Sequence, residues 1–339
     1  MFDLFKILFF SLTLLATQIS LAETEAELIE KAKSEGTLVV LTNHLPYNDV
    51  LLNEFKKKYP MIKVERKTWE AYGFSHWPYF KTENEKERTD VVFGCQSYEI
   101  LQNPNDPWYA DLTSLENWPK RPEHFTNTPY FIYLVASPHV IVYNSKKVKE
   151  SDLPGTYEDL LNPKWKNKVV YRNPLSGSSP AFISHYINQT RGNLDWFAKL
   201  GQNKAIVVKE FADLVKLLNS GKATLGLTRD AEIIDVLKKN KKLKMHWLKE
   251  LPFQYQLATM NARVVRKSAA KLLLNWVMVD GQETLVKAGF TAGARREELL
   301  KKPNLFRMDF EKVMAHEHKD IINTAMDKLR QNGATVYSK

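Results

Sequence analysis

The feature that most constrains the fold is an alternation of short apolar strands with helical segments. Residues 37–41 (TLVVL) predict a buried strand, and residues 48–59 predict a helix with one apolar face. Residues 62–65 and 90–94 predict two further strands. Apolar runs without polar alternation are typical of parallel strands that helices cover on both faces. The sequence therefore predicts an α/β fold, in which ligands bind at the carboxyl ends of strands.

A second α/β unit follows an apolar strand at residues 140–144. It begins with a strand at residues 169–171 and continues through helices to a strand at residues 223–227. A strand at residues 254–260 leads back to the first unit. We therefore predict two lobes, each a sheet flanked by helices, joined by crossover strands. The predicted division assigns residues 23–142 and 257–339 to lobe 1 and residues 143–256 to lobe 2.

Residues 1–22 have the layout of a cleavable secretory signal. Lys6 precedes a short, mostly apolar run, and Ser20 and Ala22 place small residues at the −3 and −1 positions of the cleavage site. The apolar run is shorter than the roughly 18 residues that a membrane span needs. We therefore expect an exported soluble protein. An uncleaved anchor is the alternative, because Asp3 cancels the charge of Lys6.

Charge and cysteine content limit the classes of partner. Cys95 is the single cysteine, so an internal disulfide and the cysteine-rich zinc frameworks are excluded. The net charge of +10 favours an anionic partner. The lysines form short runs at residues 56–58, 238–242 and 301–302, which we interpret as solvated helix faces, and no nucleic-acid motif accompanies them. We therefore expect a small anionic solute rather than nucleic acid, and no cofactor.

Several short segments, spread over about residues 35–290, carry a resemblance to a known family. They are 35–40 (EGTLVV), 55–64 (FKKKYPMIKV), 90–92 (DVV), 142–144 (VYN), 156–160 (TYEDL), 163–168 (PKWKNK), 219–221 (NSG) and 225–227 (LGL). With these segments the chain resembles the extracellular solute-binding proteins of bacterial ABC importers, in the branch of ferric-iron, phosphosugar and thiamine binders. The resemblance implies a two-lobed periplasmic-binding-protein fold that closes on one solute and delivers it to a membrane permease.

A serine-rich loop precedes the helix predicted near residues 181–189. Ser179 can cap this helix and Pro180 suits its first position, so hydroxyls and free backbone N–H groups gather at a helix N-terminus that suits an anion. The resemblance also places ligand contacts in this loop, and a plain cap without ligand is the alternative. The candidate contacts in the loop are Ser176, Gly177, Ser178 and Ser179.

Residues 228–230 (TRD) follow the strand at 223–227. In the ferric-iron branch two adjacent tyrosines occupy this neighbourhood and coordinate the metal, and they are absent here. The Arg229 guanidinium would repel Fe³⁺, whereas it offers a fork for carboxylate or phosphate. Arg229 is therefore a candidate ligand contact, with a surface position as the alternative. Asp230 is a further candidate, although we favour helix capping as its role.

The remaining candidates follow predicted strands or lie on a crossover. His44 is a candidate metal ligand or, more commonly, a hydrogen-bonded neutral histidine. The Tyr255 side chain is either a ligand contact or a hinge or core aromatic. The full set of these weaker candidates is Asn43, His44, Gln96, Ser97, Arg172 and Tyr255.

These observations predict a monomeric periplasmic protein that binds a small phosphorylated or carboxylated solute for an ABC permease. One alternative is ferric-iron binding in the same fold. A second alternative is an exported serine hydrolase that pairs one serine of the 176–179 loop with a histidine. Neither a G-x-S-x-G elbow nor an H-E-x-x-H motif supports that enzyme.

Overall fold

The computed structural model describes residues 23–43, 45–68, 77–96, 106–121, 128–176, 178–292, 305–306 and 317–337. Its strands are β1 (Thr37–Thr42), β2 (Lys63–Thr68), β3 (Val91–Gln96), β4 (Ile132–Asn144), β5 (Val169–Arg172), β6 (Ile206–Val208), β7 (Leu225–Arg229), β8 (Leu243–His246), β9 (Leu251–Met260), β10 (Leu305–Phe306) and β11 (Thr335–Tyr337). Its α-helices are α1 (Glu25–Glu35), α2 (Pro46–Lys58), α3 (Trp77–Phe80), α4 (Ser178–Arg191), α5 (Asp195–Gln202), α6 (Phe211–Ser220), α7 (Asp230–Lys239), α8 (Lys267–Trp276), α9 (Gln282–Lys287) and α10 (Glu317–Gln331).

The strands form one continuous path in the order β11-β6-β5-β7-β4-β9-β3-β1-β2, with β10 beside β9 and β8 beside β4. β1 is parallel to β2 and β3, and β5 is parallel to β6 and β7. We call lobe 1 the part built around β1–β3 and lobe 2 the part built around β5–β7. The predicted fold class, two α/β lobes joined by crossover strands, is confirmed.

The long strands β4 and β9 lie between the lobes. The first half of β4 pairs with β9, from Ile132 opposite Ala258 to Pro138 opposite Phe253. From His139 onward β4 pairs instead with β7 of lobe 2. β4 therefore passes from one lobe to the other at Pro138 and His139. A third segment runs beside this crossing, since the Ala136 N–H donates to the carbonyl of Thr291 at 2.8 Å.

The C-terminal helix α10 packs against lobe 2. Its buried side chains Ala325, Met326 and Leu329 belong to the apolar core of lobe 2, and β11 pairs with β6. The sequence-based division assigned these residues to lobe 1 with the rest of 257–339. The structure differs for residues 317–337, because the apolar face of α10, with spacings of three and four residues, is buried against α5 of lobe 2.

The N-terminal helix α1 has defined ends. Its N-terminus is a capping box, in which Thr24 Oγ1 accepts from the Glu27 N–H at 3.3 Å and Glu27 Oε2 accepts from the Thr24 N–H at 2.9 Å. Gly36 ends it in the left-handed conformation. The predicted signal segment lies outside the described residues. Among the helices that the structure does describe, none has both the length and the apolar character to cross a bilayer.

Candidate ligand-binding site

Two arginines lie at the carboxyl edge of the lobe 2 sheet. Arg172 is the last residue of β5 and Arg229 is the last residue of β7, and the two strands are parallel neighbours. Parallel neighbours end at the same edge, and helices α4 and α7 begin shortly after β5 and β7. Because α/β sheets bind ligands at this edge, the topology brings two predicted site residues to a place suited to binding.

One carboxylate holds both guanidinium groups. Glu232 Oε1 accepts from Arg229 Nη2 at 2.8 Å and from Arg172 Nη1 at 3.2 Å, and Glu232 Oε2 accepts from Thr228 Oγ1 at 2.7 Å. The side chains of Arg229, Glu232 and Arg172 are only 6%, 10% and 14% exposed. Burial alone would raise the pKa of Glu232, but the two guanidiniums hold it well below its usual range. The three groups together therefore carry one net positive charge.

Each guanidinium keeps a buried donor that is not used. The Nε atoms of Arg172 and Arg229 are buried and have no hydrogen-bond acceptor among the residues that the structure describes. Arg229 Nη1 donates to Gln254 Oε1 at 3.0 Å, which fixes the plane of its guanidinium. A buried N–H without an acceptor is costly, so this edge is suited to an oxygen that accepts from both arginines.

The Asp230 carboxylate faces the crossing between the lobes. Its Oδ1 accepts from Ser137 Oγ of β4 at 3.3 Å, and its Oδ2 accepts from Thr291 Oγ1 at 2.9 Å. The Ala231 N–H also donates to Oδ1. Burial raises the pKa of Asp230 to about 7, against the effect of these donors and of Arg229. The structure thus places Asp230 in contacts within the protein.

His139 connects the crossing to the serine-rich loop. Its Nδ1 lies 3.2 Å from the Pro252 carbonyl of β9, and its Nε2 lies 3.0 Å from the carbonyl and 3.2 Å from the hydroxyl of Ser179. Burial, followed by the charge of Arg229, lowers the pKa of His139 to about 4. The neutral ring satisfies two of these contacts if Nδ1–H donates to Pro252 and the Ser179 hydroxyl donates to Nε2.

This hydroxyl–imidazole pair is the contact that the serine-hydrolase alternative requires. Ser179 is 4% exposed and His139 is 1% exposed. The imidazole also stacks on Phe182, with ring centroids 5.2 Å apart and an interplanar angle of 4°. A small cavity lined by His139, Arg172 and Ser179 lies at this point. The burial and the stacking favour a structural contact that fixes the start of α4.

An uncharged cluster lies on the lobe 1 side. Asn43 follows β1, and its Nδ2 donates to Gln256 Oε1 of β9 at 3.1 Å, an oxygen that Tyr47 OH also approaches at 3.3 Å. Gly94 lies against this cluster with φ +93°, and a Cβ there would come within 2.2 Å of Asn43 Nδ2. The buried Gln256 Nε2 has no acceptor among the described residues. The side chains of this cluster are uncharged, and the Arg66 guanidinium, paired with Asp49, donates to the Asn43 carbonyl at 3.1 Å beside it.

The two clusters are neighbours because they share strand β9. Gln254 and Gln256 are two residues apart, so their side chains lie on the same face of the strand. Gln254 contacts Arg229 of lobe 2, and Gln256 contacts Asn43 of lobe 1. The crossover strand thus links the arginines of lobe 2 with the uncharged side chains of Asn43 and Gln256.

The other predicted site residues lie elsewhere. Ser176 Oγ donates to the Asn173 carbonyl at 2.7 Å within a turn. Tyr255 lies on the opposite face of β9 and packs edge-on against Tyr133 and Phe253, at centroid distances of 5.0 and 4.9 Å. The backbone of Gln96 pairs with Gln256. The roles of these residues in binding stay predictions. Three candidates lie outside the described residues: His44, Ser97 and Gly177. For Gln96 and Ser178 the structure describes the backbone only.

Sequence reasoning missed Glu232, His139, Gln254 and Gln256. A signal existed for the glutamines, because two polar residues two positions apart interrupt the otherwise apolar run at residues 251–260. A weaker signal existed for Glu232, which is three residues after Arg229 near the start of α7 and so close to it in space. The role of His139 depends on the distant residues Ser179 and Pro252, and no local pattern indicates it.

Comparison with known sequences decides the family. The profile described as bacterial extracellular solute-binding protein matches residues 97–313, which is more than half of the chain. The chain belongs to this family. It is the solute-binding component of an ABC transporter, which binds a small solute for delivery to a membrane permease. Among curated proteins, none matches the chain significantly.

Solved structures similar to this solute-binding protein share its fold. The substrate-binding protein of an ABC transporter from Agrobacterium tumefaciens has a TM-score of 0.73 and 13% identity, over 87% of this chain and 94% of that chain. AfuA from Actinobacillus pleuropneumoniae, with exogenous fructose-6-phosphate bound, has a TM-score of 0.67 and 19% identity, over 87% and 99%. Iron-bound HitA from Pseudomonas aeruginosa has a TM-score of 0.60 and 16% identity, over 88% and 99%. At these identities the comparison shows the fold alone.

Proposed function

We propose that this solute-binding protein captures a small anionic solute, phosphorylated or carboxylated, at the carboxyl edge of lobe 2. The observation that carries the proposal is the pair of buried Nε donors on Arg172 and Arg229 without an acceptor among the described residues. A carboxylate or phosphate oxygen supplies the missing acceptor with a charge-assisted hydrogen bond. Glu232 fixes both guanidiniums before the solute arrives, which lowers the entropic cost of binding.

The uncharged cluster of lobe 1 completes the proposed site. When the lobes close, the anionic group meets the arginines, and the rest of the solute meets the amides of Asn43 and Gln256. Gln256 Nε2 then gains an acceptor from a hydroxyl or carbonyl oxygen. The proposed ligand is therefore an asymmetric molecule with one anionic end and one uncharged polar end. The proposed compartment is the periplasm, which the family and the signal-like segment at residues 1–22 support.

The first test is native mass spectrometry of protein purified without added ligand. We expect a retained organic anion, whose mass identifies the solute. Bound iron would overturn the proposal, since a ferric ion is repelled by the two guanidiniums. If the protein is purified without a bound solute, a thermal-shift screen distinguishes an anionic solute from iron. The probes are inorganic phosphate, citrate, glucose 6-phosphate and ferric citrate. We expect only the anions free of iron to stabilise the protein.

The decisive variant is Arg172→Gln, measured by calorimetric titration with the solute found above. Loss of one charge-assisted hydrogen bond predicts a dissociation constant about 10- to 100-fold higher. The matched control is Arg191→Gln, because Arg191 is also partly buried in lobe 2 and pairs with Glu158 and Glu250. Equal weakening by both variants, or none by Arg172→Gln, would contradict the proposed site.

A further inference from the structure

Three lysine-rich turns meet on lobe 2. Residues 145–149 (SKKVK), 219–222 (NSGK) and 239–244 (KNKKLK) contain eight lysines and no aspartate or glutamate. The whole chain has 49 basic and 39 acidic residues, so the remaining residues hold 41 basic against 39 acidic side chains. These fifteen residues therefore carry eight of the ten excess positive charges. We call this surface the lysine edge; it consists of Lys146, Lys147, Lys149, Lys222, Lys239, Lys241, Lys242 and Lys244.

Strand pairing brings the turns together from distant parts of the chain. β4 is antiparallel to β8, with Asn144 opposite Leu243, so the turn that leaves β4 lies beside the turn that enters β8. Both the N–H and the hydroxyl of Ser145 donate to the Lys242 carbonyl at 2.9 Å. The turn at residues 219–222 is held by Asn144 Nδ2, which donates to the carbonyl of the preceding residue Leu218 at 2.8 Å. Of the lysine runs that the sequence analysis interpreted as solvated helix faces, residues 238–242 thus lie beside two further lysine-bearing turns.

The lysines of this edge are available to a partner. All eight are exposed. None forms an ion pair with a carboxylate of the described residues, whereas the neighbouring Lys238 pairs with Asp235 at 2.9 Å. The turn at residues 219–222 also lies close to the turn at residues 145–149, because a Cβ on Gly221 would come within 2.6 Å of Lys147 Cε. The edge thus presents concentrated positive charge without internal neutralisation.

The lysine edge is separate from the candidate ligand-binding site. Strand β7 begins beside the lysine edge at Leu225, opposite Tyr143, and ends at Arg229. Five residues of strand separate the two ends by roughly 13 Å. The lysines therefore lie at the amino edge of the lobe 2 sheet, away from the solute, and need a different partner.

We propose that the lysine edge binds the surface of an anionic phospholipid bilayer. The family delivers its solute to a membrane permease, so the protein works beside a bilayer. All eight cations are lysines, whose compact charges suit a diffuse layer of headgroups, whereas arginine forks suit single defined phosphates. The fifteen residues include no aromatic side chain on which nucleic-acid bases could stack. Binding is therefore electrostatic and peripheral, and it does not depend on the identity of the solute.

The test is co-sedimentation of the full chain with vesicles of phosphatidylcholine containing 30 mol% phosphatidylglycerol, in about 50 mM NaCl. The patch variant is K146Q/K147Q/K241Q/K242Q. The matched control is K33Q/K56Q/K86Q/K120Q, which removes the same charge from exposed lysines of lobe 1. Near an anionic surface each lysine contributes about fivefold in affinity, so the loss of four lysines should weaken binding by about 600-fold. The control should bind nearly like the unaltered protein.

The outcomes separate the lysine edge from general positive charge. Three results together support the proposal. The protein does not bind vesicles of pure phosphatidylcholine, about 500 mM NaCl releases it from the anionic vesicles, and the patch variant alone loses binding. Equal losses by patch and control variants would assign the effect to net charge and overturn it. Tighter, patch-dependent binding to a DNA duplex than to the vesicles would also overturn it. The N-terminal segment is the same in all three proteins, so it cannot cause a difference between them.

Discussion

The two edges of the lobe 2 sheet are both positively charged, yet they are built in opposite ways. At the carboxyl edge, Arg172 and Arg229 are largely buried, and Glu232 fixes their guanidiniums at 3.2 and 2.8 Å. At the amino edge, eight lysines are exposed and have no carboxylate partner among the described residues. The first edge has few charges with fixed positions, and the second has many charges that move freely in water.

The difference explains why we propose two kinds of anion site in one lobe. Buried charges interact strongly, because water screens them little, and fixed donors discriminate between ligands by geometry. Exposed charges are screened by salt over about 10 Å at 0.1 M ionic strength, and they distinguish little beyond charge density. We therefore expect the carboxyl edge to recognise one solute and the amino edge to recognise a surface.

The largest expected effect on stability comes from Glu232→Gln. This change leaves two guanidiniums close together without a counter-charge, and breaking a buried ion pair costs about 3–5 kcal/mol of unfolding free energy. Denaturation by urea measures the loss. The control is Glu158→Gln, because Glu158 also pairs with an arginine but is 53% exposed, so its loss should stay below about 1 kcal/mol. Similar losses for both variants would mean that Glu232 is not a buried counter-charge for the two guanidiniums.

A slightly smaller effect is expected from pH at Asp230. Its pKa in the folded protein, about 7, is higher than the ordinary 3.8. The folded state therefore binds the proton more tightly, and this group lowers the unfolding free energy as pH rises from about 4 to about 7. The expected loss is about 2–4 kcal/mol, and Asp230→Asn should remove it.

The comparison must use the difference between the unaltered protein and the Asp230→Asn variant at each pH. His139 has the opposite sign, because its pKa is lowered to about 4 and its contribution rises with pH up to about 6.5. In the difference between the two proteins the contribution of His139 cancels. Parallel stability curves from pH 4 to pH 8 would show that Asp230 does not titrate in a buried contact between the lobes.

The smallest expected effect on stability belongs to the lysine edge. K146Q/K147Q/K241Q/K242Q removes four exposed side chains without ion-pair partners among the described residues, so the unfolding free energy should change by less than about 0.5 kcal/mol. At low salt we expect the unfolding free energy of this variant to rise, because the repulsion between like charges is smaller. A loss of more than about 2 kcal/mol would show that these lysines support the fold, which would contradict the contrast between the edges.

The fold and the carboxyl edge could be predicted from the sequence. Strand runs such as residues 37–41 and 223–227 are local signals, and parallel strands bring their ends to one edge. This rule, applied to the strand ends, brought Arg172 and Arg229 into the list of candidates. The strand order also predicted two lobes, and the resemblance to solute-binding proteins implied the same arrangement and placed ligand contacts in the serine-rich loop.

The contacts that join distant segments could not be predicted. Glu232 is a charge partner of Arg172 only because β5 and β7 are adjacent. The lysine turns at 145–149 and 239–244 meet only because β4 pairs with β8. No local pattern states which antiparallel strands pair. The C-terminal helix was assigned to lobe 1 for the same reason, since its place on lobe 2 depends on contacts with distant segments, such as the pairing of β11 with β6.

A crystal structure of the protein with its retained solute tests the central claim most directly. We expect an anionic oxygen within about 3.5 Å of Arg172 Nε or Arg229 Nε, with Glu232 still bound to both guanidiniums. We also expect the uncharged end of the solute near Gln256 Nε2. A solute whose anionic group lies away from both arginines, or a metal ion held by tyrosines, would contradict the account.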